Sequence, residues 1–320
     1  MYIFDNRIRI EDKDKLNKYL CAYRYNTSGL SFCSLYMWCS VNYFSWLEHG
    51  DYVLISGMSY LDPDENKLLP FMFPPLTGTG EYDKKRLAAS LHYAKDIFEE
   101  KGHSFNIRLL PKHMIPIIED ACPGEFEFID DRPNYDYVYL RENLATFAGR
   151  AYSSKRNHLN YFMRNYSYTW RDISLDMCNE IMEFLKRFSE HKDDKDEGAE
   201  ILNLEQKAML DVFSNIDKLD TVGGGIYIDG VLQAVAIGSR SNPNTVVEHI
   251  EKANSSIRGL YQLINKEFAM RLPEEIVYIN REEDMGLENL RKSKLFTESS
   301  HDDRKVHRPY DLTGFVLFVI

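Results

Sequence analysis

Five consecutive polar residues, Asn280, Arg281, Glu282, Glu283 and Asp284, follow directly on the apolar run Ile276 to Ile279. A short apolar run after a proline reads as a buried strand. Mixed charge where such a strand hands over to a helix has the composition of a ligand site at a strand's C-terminal end. The same residues also suit a solvated turn, with Asp284 as helix N-cap and with Glu288 ahead of Arg291, Lys292 and Lys294 complementing the helix dipole. A second candidate lies upstream. Thr245 to Lys252 reads as a central strand, since Val246, Val247 and Ile250 fall on both faces. Strict alternation sets Glu248 and Lys252 on one face and His249 and Glu251 on the other. A small-residue loop ending in Arg258-Gly259 follows, then an amphipathic helix on Leu260, Leu263, Ile264, Phe268 and Leu272. Strand, loop and helix in that order aim unpaired helical amides at whatever lies over the loop, which favours an anion. A third candidate is basic. Arg156, Asn160 and Arg164 share a helix face at i, i+4, i+8 beside Lys155, with no acid near, as either a phosphate-docking face or a solvated one.

The elements that must carry these groups are legible in outline. Leu16, Tyr19, Leu20 and Tyr23 form the stripe of a first helix. The aromatic segment from Phe32 to Trp46 reads as core in preference to a base-stacking platform, because no basic residue lies between Arg24 and Lys67. A hairpin joins Tyr43–Trp46 to Tyr52–Ile55, Phe71–Phe73 is a short strand, and Gly78-Thr-Gly80 precedes a helix on Leu87, Leu91, Ala94 and Phe98 closed near Gly102. Further strands are expected at Phe105–Leu109 and Tyr135–Leu140. One helical stretch then runs from Leu144 past Phe162, and two more helices flank a charged, exposed loop at Lys192–Glu200. Asp229-Gly230 between β-rich runs signals a hairpin, and it makes Gly223-Gly-Gly225 a close strand approach, not a phosphate loop.

Composition bounds the function. The chain has 320 residues, 44% hydrophobic and 28% charged, as in a globular protein of two domains, expected at 1–140 and 141–320. A formal charge of −11 argues against broad nucleic-acid binding, though not against one local basic face. Five cysteines without CxxC spacing fit reduced thiols and a cytoplasmic location. No apolar run is long enough to span a bilayer. The nine histidines lack ligand spacing, so no metal site is expected.

The order hairpin, strand, Arg-Gly loop, helix, strand resembles the core of the GNAT acyltransferases. Four segments narrow the resemblance: Lys155-Arg-Asn-His-Leu-Asn160 with Phe162; Asp229-Gly230; His249-Ile-Glu-Lys252 with Gly259, Tyr261 and Asn265; and Asn280-Arg-Glu-Glu-Asp-Met-Gly286 with Leu290-Arg-Lys-Ser-Lys294. Together they are similar to the soluble C-terminal domain of phosphatidylglycerol lysyltransferases. The resemblance implies an α/β (mixed α+β) protein of two tandem GNAT-like domains, each a mixed sheet flanked by helices, related to Fem-type aminoacyl transferases. It implies transfer of an activated acyl group from aminoacyl-tRNA or acyl-coenzyme A, neither tightly bound, to an amine or hydroxyl of a small-molecule, peptide or lipid acceptor. A non-catalytic binding module for an anionic ligand is the alternative. Under the resemblance Glu251 is the candidate base and Tyr261 the donor to the leaving group. Lys155, Arg156 and Arg164 contact an anionic donor or acceptor, charged tRNA first among the candidates, Asn157 also binds substrate, and Lys252, Arg258 and Gly259 hold the donor. Asn265, Asn280, Arg281, Glu282 and Asp284 orient the acceptor, and Arg291 and Lys294 are further substrate-binding candidates. The polar stretch Phe296–Pro309 and the apolar C-terminus depart from the family's pattern.

Overall fold

The computed structural model describes residues 2–22, 27–60, 68–190, 197–295 and 314–319. Two compact units partition the chain. One comprises Met1–Asp136, Glu283–Gly286 and Asp311–Ile320, the other Tyr137–Glu282 and Leu287–Tyr310.

The first unit contains β1 (Asn6–Arg7), α1 (Lys13–Leu20), α2 (Phe32–Met37), α3 (Cys39–Asn42), β2 (Ser45–His49), β3 (Tyr52–Tyr60), β4 (Leu68–Met72), β5 (Leu76–Thr77), α4 (Lys84–Glu100), β6 (Asn106–Pro111), α5 (Ile115–Ala121) and β7 (Phe126–Asp130), and it receives β14 (Gly314–Val319). Its sheet runs β1-β2-β3-β4-β6-β14-β7, with β5 on β3. β4 and β6 are parallel, Met72 opposite Ile107, and α4 makes the crossover. The aromatic segment is core. Phe32, Phe44 and Trp46 are buried, and the Phe44 ring meets Phe71 and Phe73 at 6.4 and 5.6 Å. Gly57 is required there, because a Cβ would sit 2.4 Å from the Phe44 ring.

The second unit contains β8 (Val138–Leu140), α6 (Arg141–Thr146), α7 (Ser153–Asn165), β9 (Thr169–Asp172), α8 (Cys178–Glu190), α9 (Glu197–Phe213), β10 (Thr221–Ile228), β11 (Val231–Asn242), β12 (Thr245–Ala253), α10 (Leu260–Arg271), β13 (Tyr278–Asn280) and α11 (Glu288–Leu295). Its sheet runs β8-β13-β12-β11-β10-β9. Asp229 and Gly230 both take positive φ, 51° and 77°, and so close the β10–β11 hairpin with the expected turn. Gly223 and Gly224 allow close strand approach, since a Cβ on them would lie 2.1 Å from the Ala236 carbonyl and 2.2 Å from that of Arg171. Leu260, Leu263, Ile264 and Phe268 of α10 pack with Leu144 and Phe147 and with Leu159 and Phe162 of α7. The two units share a plan: antiparallel strands, then a strand, a helix and a parallel strand. The next strand comes from the chain's end in one (β14) and from β8 in the other.

Three local expectations change. The helix from Leu144 to Arg164 is two helices, broken where Phe147 and Gly149 adopt φ of 49° and 87°. The charged stretch beginning at Lys192 is helical from Glu197, while 191–196 lie outside the described residues. Asp284 does not cap a helix; α11 begins at Glu288, and the residues between form a turn. Tyr23 and the polar stretch Phe296–Pro309 also lie outside the described residues.

Candidate functional site

In the second unit β12 and β13 pair in parallel only at Thr245–Tyr278, Val246–Ile279 and Val247–Asn280. Beyond Asn280 the chain turns away, and the rest of β12 faces the turn that follows β13. The β11–β12 register shifts between Ile237 and Gly238, so that Ile250 and Glu248 are paired in turn and His249 is the extra residue. A bulge of this kind cancels one step of the side-chain alternation. It sends both Glu248 and Glu251 towards Arg281. The Arg281 Nε donates to Glu248 Oε2 at 2.7 Å and its Nη2 lies 2.8 Å from Glu251 Oε1. The other Glu251 oxygen accepts from Asn265 Nδ2 of α10 at 2.8 Å.

The turn that presents Arg281 is fixed on every side. The Arg281 N–H donates to Tyr137 and its carbonyl accepts from Lys294 Nζ at 2.6 Å. Its guanidinium lies over the Tyr139 ring, 5.8 Å from the centroid. Glu282 holds φ +58°. That strain is held by three hydrogen bonds: its N–H donates to Asn280 Oδ1, its carbonyl accepts from the Tyr137 N–H, and its carboxylate meets His249 Nδ1 at 2.9 Å. His249 Nε2 in turn lies 2.8 Å from Ser239 Oγ.

Charge in this cluster is shifted. Burial, then the neighbouring Glu251 carboxylate, push the Glu248 carboxyl up to about 8 against the pull of Arg281. Burial works against the Arg281 charge, but Glu251 and Glu248 outweigh it and hold the guanidinium more firmly protonated than usual. Lys155 of α7 feels the same groups. Burial and then Arg281 lower its ammonium to about 8, with Glu251 and Glu248 opposing. Its ammonium lies over the Phe147 ring, 5.7 Å from the centroid. Burial raises the Tyr261 hydroxyl, a hydrogen bond from the Ala253 backbone opposes this, and Glu251 adds to it. Two buried side-chain oxygens, Glu248 Oε1 and Asn265 Oδ1, have no hydrogen-bond partner.

The structure thus gathers Lys155, Glu251, Tyr261, Asn265 and Arg281, with Asn280, Glu282 and Lys294 shaping the turn. It adds Glu248, which alternation had turned away from Glu251. Other expected residues stand differently. Arg156 donates to the Phe147 and Gly149 carbonyls and so closes the end of α6. Asn157 and Arg164 are exposed, and Arg258 is exposed over the Tyr161 ring at 4.6 Å. Gly259 has φ +91°, and a Cβ there would lie 2.3 Å from the His158 carbonyl, so the loop before α10 is pressed against α7. Lys252 and Arg291 are half-buried. Asp284 belongs to the first unit, fully buried, with Arg132 at 3.2 Å and the Gly286 amide on its carboxylate. Ser239 has no signal in the sequence, and His249 is marked only as part of a family segment, because their meeting depends on strand register.

Residues 22–296, which include every residue of this cluster, match the family model for the phosphatidylglycerol lysyltransferase C-terminal domain. The chain belongs to this family. Among solved structures, a conserved protein of unknown function from Bacteroides thetaiotaomicron VPI-5482 is similar over 100% of both chains, at 28% identity and a TM-score of 0.86. L-PGS from Bacillus licheniformis is 12% identical, with 100% of this chain and 94% of that one covered and a TM-score of 0.59. FemX is 10% identical, with 98% and 96% covered and a TM-score of 0.63. These last two share the fold, as the resemblance to lysyltransferases and Fem-type proteins implies. No curated protein matches the sequence. The mixed α+β architecture of helix-flanked mixed sheets is as expected for this family. No helix among the described residues is long and apolar enough to cross a membrane.

Proposed function

We propose that this family member is an acyl or aminoacyl transferase whose reacting groups meet at the parting of β12 and β13. The carrying observation is the buried Glu248–Glu251–Arg281 cluster with Lys155 beside it. Two buried oxygens of this group, Glu248 Oε1 and Asn265 Oδ1, lack a hydrogen-bond partner. A ligand N–H group supplies the partner that Asn265 Oδ1 lacks, because a buried acceptor without a donor costs about 1–3 kcal/mol. An aminoacyl donor carries an α-ammonium group, whereas an acetyl group carries none, so aminoacyl-tRNA is favoured over acetyl-coenzyme A.

In the reaction an acceptor amine or hydroxyl attacks the donor's ester carbonyl. Glu251, the less buried of the two carboxylates, takes the nucleophile's proton. The carbon–oxygen bond to the donor breaks, an amide or ester forms, and Tyr261 returns a proton to the departing oxygen. Arg281 and Lys155 supply positive charge where the carbonyl oxygen becomes negative. A positioned base contributes roughly a hundred- to ten-thousand-fold in rate.

One observation favours the second reading, a binding module without turnover. Both Glu251 oxygens are already engaged, by Arg281 and Asn265, so one contact must break before either can take a proton. Incubation with lysyl-tRNA, alanyl-tRNA and acetyl-coenzyme A, each with amine and hydroxyl acceptors, followed by mass analysis, separates the two. Turnover abolished by Glu251→Gln, with the melting temperature kept, supports the transferase. Binding of charged tRNA without product, or turnover untouched by Glu251→Gln, overturns it.

A further inference from the structure

A second cluster of ligating side chains lies in the first unit, among residues that carry no metal motif in the sequence. His92 projects from α4. Cys122 ends α5, and Glu125 follows it across Pro123-Gly124 just before β7. That turn is built, not loose: Gly124 takes φ +69° and donates its N–H to Glu119 Oε1, while the Glu125 N–H donates to the Cys122 carbonyl. His92 Nε2 lies 2.9 Å from Glu125 Oε2 and 4.0 Å from Cys122 Sγ, and the three candidate ligand atoms all fall within 4.8 Å of one another.

We propose that His92, Cys122 and Glu125 form a binding site for a borderline-soft divalent cation of the Zn²⁺ kind. Imidazole, thiolate and carboxylate are the donors such an ion takes, at about 2.0–2.3 Å. Tetrahedral bonds of those lengths set ligand atoms roughly 3.3–3.6 Å apart. The nitrogen–oxygen pair must therefore open, and the sulfur–nitrogen pair close, by about half an ångström, while the sulfur–oxygen pair, within 4.8 Å, must come to roughly 3.6 Å. The thiolate and carboxylate together neutralise the ion. On binding, the Cys122 thiol loses its proton to solvent, the His92–Glu125 hydrogen bond gives way to two metal bonds, and the imidazole proton resides on Nδ1. Cys122 is fully buried, while the side chains of His92 and Glu125 are 50% and 41% exposed. The fourth position is thus open to water, and harder oxygen-seeking ions such as Mg²⁺ are disfavoured by the sulfur. The bound ion would tie α4 to the turn between α5 and β7.

The test is titration of the full chain, kept reduced, with Co²⁺. One equivalent should produce a near-ultraviolet thiolate-to-cobalt absorption together with visible bands of tetrahedral intensity, both erased by Zn²⁺. Cys122→Ser should lose the near-ultraviolet band. The double variant His92→Ala/Glu125→Ala, altered at exposed positions and so expected to fold, should weaken Co²⁺ binding at least tenfold. Absence of the band in the wild-type protein overturns the proposal. So does a band that survives Cys122→Ser and disappears with Cys21→Ser, since Cys21 is exposed and would then be the ligand. Unchanged affinity in the double variant overturns it as well.

Discussion

Replacing Glu248 by glutamine isolates the most perturbed carboxyl of the cluster. Its side chain is only 2% exposed, and burial with Glu251 beside it lifts its pKa from 4.5 to about 8. The folded protein therefore keeps a proton that the unfolded chain gives up above about pH 4.5. Stability tied to that proton is full at low pH and is lost as pH rises through the folded value near 8. The slope is about 1.4 kcal/mol per pH unit, so roughly 4 kcal/mol separates pH 5 from pH 8 as an upper bound. Glutamine copies the neutral acid's shape and can still accept from Arg281, but it cannot ionise. The stability of wild type minus that of Glu248→Gln should then fall steadily from pH 5 to 8 and flatten beyond. Trp170 is the single tryptophan of the second unit. In a Trp38→Phe/Trp46→Phe background its fluorescence during urea unfolding reports that unit alone. Parallel wild-type and variant curves across this range would refute the reasoning, because they would mean that Glu248 is ionised throughout. A difference that grows with pH would refute it more directly, by placing the folded value below the unfolded one.

Lys155→Met should stabilise the second unit by about 1–2 kcal/mol at pH 7, after allowance for partial exposure. Its lowered ammonium costs stability below about pH 8, and that gain should vanish by pH 10.5, checked by urea midpoints at both ends. Gly259→Ala should cost about 2–4 kcal/mol, read as a lowered melting temperature, because both its left-handed φ and the His158 carbonyl oppose a Cβ. For charged-tRNA binding, Arg164→Glu and Arg258→Glu should each reduce the slope of log affinity against log salt by about 1, one phosphate contact apiece. Arg156→Ala should leave that slope unchanged and instead lower stability by about 1 kcal/mol, since Arg156 serves the end of α6.

Much of the second unit was fixed by local chemistry that a reader of the chain can see. Asp229-Gly230 closes a hairpin because both residues tolerate positive φ. Gly259 stands before α10 because the chain must turn left-handed there, and Arg281 follows a buried strand because only that strand's residues are apolar. The aromatic run from Phe32 to Trp46 likewise announced a core, since no cation lay near to make it a surface for bases. What the chain concealed was register. Alternation along Thr245–Lys252 parts Glu248 from Glu251, and a single extra residue at His249 brings them onto one guanidinium. No composition records where a bulge falls, because it is set by how β11 pairs with β12 across the sheet. The same holds for Asp284, whose sequence suits a helix cap and whose carboxylate is buried against Arg132, 152 positions earlier in the chain. His92, Cys122 and Glu125 meet only because α4 and α5 pack side by side. Side-chain identity and backbone preference are local and can be read in order, whereas the meeting of charges distant in sequence is decided by the packing of whole elements.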